Sequence, residues 1–129
     1  MNKIIVEVSI GELLDKISIL EIKKEKIKDP EKLKFINNEY SILKNQLEKS
    51  VKSDEKLNNL YQSLKEINAK LWIIEDDKRQ CEKDKDFGEK FIKLSRDVHF
   101  LNDDRAKIKL EINNHTGSII KEIKEYTSY

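Results

Sequence analysis

A chain of 129 residues can build one hydrophobic core and is short of what two independent domains need. Charged residues make up 40% and hydrophobic ones 37%, with three glycines and one proline, which suits long amphipathic helices and argues against a turn-rich sheet protein. The 26 basic and 25 acidic residues leave a net charge of +1 and are mixed along the chain, so no broad positive field exists to hold nucleic acid.

The apolar run at residues 3–10 is too short to span a membrane and lacks the features of a signal peptide, so the expectation is a cytoplasmic protein with no membrane span. Cys81 has no cysteine partner, and His99 and His115 lack the companions of a zinc site, so neither metal nor cofactor is expected.

Ile4, Val6 and Val8 alternate with Ile5 and Glu7, as in a short strand or extended arm that needs a partner. Ser9 and Glu12 form a capping-box pattern opening a first helix over about 9–28, striped by Ile10, Leu13, Ile17, Leu20 and Ile27, with Lys24 snorkelling. Asp29 as N-cap and Pro30 at the first helical position start a second over about 30–49, carrying Leu33, Ile36, Tyr40, Leu43 and Leu47. The short joint between them predicts an antiparallel hairpin.

Ser53 reads as the cap of a third helix over about 54–84, whose seam is Leu57, Leu60, Leu64, Ile67, Leu71 and Ile74 and extends to Cys81. Asp86 reads as the cap of a fourth, over about 88–115, with Phe91, Leu94, Val98, Leu101, Ile108 and Ile112 as its seam. Thr116 to Ser118 end it, leaving a tail at 116–129 whose outer part reads as a short helix or a strand beside the N-terminal arm. The whole predicts a single all-α domain: an elongated antiparallel bundle of about four helices in two hairpins.

Two features exceed packing. Ile17, Ile19, Leu20 and Ile22, and again Leu71, Trp72, Ile73 and Ile74, make their helices apolar on nearly every side, which requires a central position or a subunit interface. The expectation is a homodimer, with Ile19, Ile22, Trp72 and Ile73 as interface residues and a protein partner as a further option. The second feature is Arg105, which stands where the fourth helix's seam calls for an apolar side chain. Antiparallel pairing of the third and fourth helices would set Glu75, or else Asp76, against it. Asn68, Glu75, Arg79, Asn102, Arg105 and Lys109 form the candidate ligand-binding set, which either satisfies a buried arginine and fixes helix register or lines a pocket for an anionic ligand.

Two enzymatic templates fit poorly. Helical pyrophosphohydrolases hold magnesium with two carboxylate pairs at one-turn spacing, and while Glu12 and Asp15 supply one, Glu75, Asp76 and Asp77 do not supply the other. Helical chorismate mutases use several cations around a dicarboxylate, and Arg105, Arg79, Lys109 and Glu75 match only as any lysine-rich bundle would.

The stretch Ser9-Ile10-Gly11-Glu12-Leu13-Leu14-Asp15-Lys16-Ile17, followed by Ile19-Leu20-Glu21-Ile22-Lys23, resembles the opening of an uncharacterised domain-of-unknown-function family of small bacterial and phage proteins. Asn68, Leu71-Trp72, Ile74-Glu75-Asp76-Asp77, Arg79, Asn102-Asp103, Arg105-Ala106 and Gly117-Ser118 are similar to its later blocks. The resemblance implies no activity. It implies a link to surface-polysaccharide synthesis, since some members are encoded beside or joined to glycosyltransferases. The function expected is a non-catalytic helical interaction or assembly module, the alternative being a small enzyme or binder of an anionic metabolite or nucleotide-sugar at Arg105.

Overall fold

A computed structural model describes residues 2–125 and 127–128 and shows an all-α bundle of four helices: α1 (Ile10–Lys26), α2 (Pro30–Ser50), α3 (Glu55–Asp84) and α4 (Glu89–Thr116). Ser9 caps α1 by accepting the Glu12 N–H at 3.0 Å, and Asp29 caps α2 ahead of Pro30, as the side-chain chemistry requires. Two caps differ from expectation. Asp54 rather than Ser53 caps α3, its carboxylate accepting the Leu57 N–H at 2.7 Å, while the Ser53 hydroxyl donates to Asn58 Oδ1 at 2.9 Å. Gly88 rather than Asp86 precedes α4, and Asp86 instead accepts the Gly88 N–H at 3.1 Å in the connecting turn. At the far end Gly117 adopts φ 68°, the left-handed C-cap that frees the tail from the helix.

Three helices share the core. α4 runs antiparallel to α3, with His115 against Asp54 at one end and Arg105 against Asn68 further along. Contacts of Leu14 with Leu64 and of Ser18 with Asn68 set α1 parallel to α3. Leu14, Leu57, Leu64 and Ile112 form the centre, with Ile10, Leu60, Tyr61 and Ile108 packed against it. α2 lies outside, against α1, and buries none of its residues; only Leu47 and the following Val51 reach the central cluster. Lys24 does lie across an aromatic face, with Nζ 4.0 Å from the centroid of Tyr40.

Of the strand and the arm that the sequence allowed at the start of the chain, no strand forms: residues 2–8 are an arm outside any helix or ladder, and the described tail beyond Ser118 is neither helix nor strand. Ile4, Ile5 and Val6 are 89%, 82% and 68% exposed, an unusual place for three β-branched apolar side chains.

Candidate functional site

The polar groups at the junction of α1, α3 and α4 form one connected layer. Asn68, 4% exposed, donates through Nδ2 to Asp15 Oδ1 and to Ser18 Oγ, both at 2.8 Å, and accepts from Arg105 Nη1 at 3.1 Å. The Ser18 hydroxyl passes its own proton to the Asp15 carbonyl at 2.8 Å. Every partner agrees with one orientation of the Asn68 amide, so the layer fixes the register of the three helices.

Arg105 does not make the expected pair with Glu75 or Asp76. It is half-buried, and its other hydrogen bond among the described residues runs from Nη2 to Asn102 Oδ1 at 2.9 Å. Two amide oxygens satisfy it without burying a second charge, which an ion pair at this depth would have required. The buried cation is Lys109, one turn further on and 9% exposed. Its Nζ lies 2.6 Å from Glu12 Oε2, 3.3 Å from Glu122 Oε2 and 3.8 Å from Asp15 Oδ2. Burial works to lower the Lys109 pKa, but the Glu12 hydrogen bond and the Asp15, Glu12 and Glu122 charges outweigh it and leave the pKa raised. The Lys109 charge in turn holds the Glu122 carboxyl below its ordinary value.

The start of α1 is locked onto the end of α4. The Gly11 N–H donates to Asn113 Oδ1 at 2.7 Å, and the Ile10 N–H donates to Ser118 Oγ at 3.2 Å. A Cβ on Gly11 would stand 2.6 Å from the Lys109 carbonyl oxygen, so only glycine permits this approach. Gly11 and Ser118 stand in the stretches that resemble the family, yet neither they nor Ser18 and Asn113 were named as site residues; the available signal was small or polar residues set directly beside core positions such as Ile17 and Ile112. His115 Nε2 lies 2.8 Å from Asp54 Oδ2. The Asp54 pKa is lowered, first by the Leu57 N–H and then by His115, which identifies the pair as part of a helix cap.

Beside the polar layer lies a recess of about 320 Å³. Ile19, Ile22, Leu71 and Trp72 supply its apolar lining, and Glu75, Asp76, Arg79 and Arg105 its charged lining. Four of the six candidate ligand residues, Asn68, Glu75, Arg79 and Arg105, therefore line one cavity, and Asn102 is bonded to Arg105. Lys109 lies elsewhere, in a smaller hollow of about 160 Å³ with Glu122 and Lys124. Of the four interface candidates, Ile19, Ile22 and Trp72 line the recess, Ile22 being only 2% exposed. Ile73 is 52% exposed and lines a separate hollow with Phe100. Among the described residues no three His, Cys, Asp or Glu side chains are grouped to hold a metal ion, and no helix is long and apolar enough to cross a membrane.

The fold and its buried polar layer define an all-α bundle protein. The chain belongs to a family of unknown function (DUF6165), whose family model matches residues 4–129. No curated protein and no solved structure matches the chain.

Proposed function

We propose that the protein is a non-catalytic interaction and assembly module that associates with a second copy of itself. A row of exposed apolar side chains on the α3–α4 hairpin, interspersed with Lys93, Arg96 and Asp97, carries this reading. Ile73, Ile92 and Phe100 are 52%, 55% and 41% exposed, and Phe100 lines both the hollow that holds Ile73, Ile74 and Leu101 and the one that holds Ile92. Single apolar side chains are ordinary on a surface, whereas isoleucine and phenylalanine gathered on one hairpin and ringed by charges of both signs are what an interface with a polar rim covers. Lys70 and Asp97 also line the Ile73 hollow, so an isologous contact can bring the Lys70 of one copy against the Asp97 of the other.

The competing reading, a site for an anionic metabolite or nucleotide-sugar at Arg105, is disfavoured by the charges. In the recess two carboxylates offset two guanidinium groups, and Lys109 is held by three carboxylates outside it. Sedimentation equilibrium of the wild type and of Ile73→Asp and Phe100→Asp tests the assembly reading. A dimer at micromolar concentration that becomes monomeric in both variants, with helical circular dichroism retained, is the expected result. A wild-type monomer throughout that range would refute it.

A further inference from the structure

The recess contains four charged groups, Glu75, Asp76, Arg79 and Arg105, and among the described residues none of them forms an ion pair within 4 Å. Their order along the cavity follows from the helix. Arg105 is fixed at Asn68; Leu71 and Trp72 come one turn later on α3; Glu75 and Asp76 are seven and eight residues beyond Asn68, or roughly 10–12 Å at the helical rise. The cavity therefore presents a cation, an apolar middle and an anionic pair, in that sequence. Arg79, a turn beyond Glu75, closes the far end.

The chain's own N-terminal arm carries the complementary series. An arm that docks in extended form presents alternate side chains on one face, which puts Lys3, Ile5 and Glu7 together, and four residues at ~3.3 Å each set Lys3 roughly 13 Å from Glu7. Cation, apolar middle and anion on the arm thus match anion, apolar middle and cation in the recess, at spacings that differ by no more than the reach of a lysine side chain.

Both partners are open to meet. Residues 2–8 are exposed and belong to no helix or strand, and Trp72 is half-buried at the cavity.

We propose that the N-terminal arm of one copy docks into this recess of a second copy, with Glu7 on Arg105, Ile5 on Trp72 and Lys3 on Glu75 and Asp76. The exchange rests on the self-association read above and names the segment that crosses between copies. Docking into the chain's own recess is disfavoured by length. Arg105 sits at the level of Ser18, nine residues and roughly 13 Å along α1 from Ser9, whereas an arm folded back from Ser9 has covered only about 7 Å at Glu7.

The test uses full-length variants, sedimentation equilibrium and the emission of Trp72, the chain's single tryptophan. Lys3→Glu should weaken dimerisation about tenfold, because each symmetric dimer loses two favourable contacts and gains two repulsive ones. Adding Glu75→Lys and Asp76→Lys to Lys3→Glu should restore most of that loss, although the two lysines alone weaken the dimer. Ile5→Asp should abolish the shift of Trp72 emission that accompanies association. These substitutions fall on exposed residues, so unchanged denaturation midpoints at concentrations low enough for every variant to be monomeric serve as the folding control. A wild-type dimer indifferent to Lys3→Glu and Ile5→Asp overturns the arm exchange and leaves the assembly reading standing. Trp72 emission that responds to arm variants in a concentration-independent monomer shows docking within one chain and overturns the exchange. A monomer with unresponsive Trp72 overturns both.

Discussion

Gly11 shows how much one missing carbon can decide. Alanine is ordinarily the better helix former by about 1 kcal/mol, yet at this position its Cβ meets the Lys109 carbonyl at 2.6 Å and Asn113 Oδ1 at 3.0 Å. The carbonyl belongs to a helix and cannot swing aside, so Gly11→Ala should destabilise the fold by about 2 kcal/mol, read from the urea midpoint. A neutral midpoint would mean that α1 lifts off α4 at little cost. Lys109 is the second residue with a wide reach, since its ammonium joins α1 to the tail through Glu12 and Glu122. Glu122 has a lowered pKa, so its contribution is present above its ordinary value of 4.5 and fades as pH falls through the lower folded value. Lys109 has a raised pKa, so its contribution is present below 10.5 and fades only as pH rises through the higher folded value. The tail around Glu122 should therefore stay docked across neutral pH and release in acid well before the helices melt. NMR titration of the Glu122 carboxyl carbon in the wild type and in Lys109→Met checks this; a midpoint that the substitution leaves unchanged would exclude the Lys109 latch.

Among the elements, α2 stands apart. It has a sound cap and an apolar stripe, but it touches one neighbour and buries no residue, so its stability comes from α1 alone. Local opening is cheapest where few apolar contacts are lost. In native-state hydrogen exchange the first half of α2, residues 31–43, should exchange through local opening while Leu64 and Ile112 exchange only through global unfolding. Equal protection in the two regions would show that α2 is covered, by a second copy for instance. The remaining helix ends were legible wherever the signal is strictly local: Ser9, Asp29 with Pro30, and Gly117. They were missed by a residue or more where two acceptors stand side by side, as with Ser53 and Asp54, or where the cap has no side chain to mark it, as with Gly88 two residues after Asp86.

For the whole molecule, the apolar side chains that a 129-residue bundle leaves outside are unevenly placed. Ile73, Ile92 and Phe100 form the strip on the α3–α4 hairpin, while Ile4, Ile5 and Val6 project on the arm. The strip and the recess are separate surfaces. If one dimer uses both, the arm adds to a contact that the strip already makes, so loss of the arm should weaken the dimer in graded fashion while loss of the strip abolishes it at micromolar concentration.

The sequence by itself determined the helices, because apolar spacing of three and four residues and cap chemistry are local properties that need no partner. It also brought Asn68, Glu75, Arg79 and Arg105 to attention, since polar residues beside a seam are visible as departures from its period. It could not apportion their bonds. Whether Arg105 meets Glu75 or Asn68 depends on the rotation of α3 against α4, and whether the buried cation is Arg105 or Lys109 depends on where α1 crosses them. The close approach at Gly11 sets that crossing, and it joins residues about a hundred positions apart in the chain. Such contacts leave no period in the sequence, and only the tertiary structure decided them.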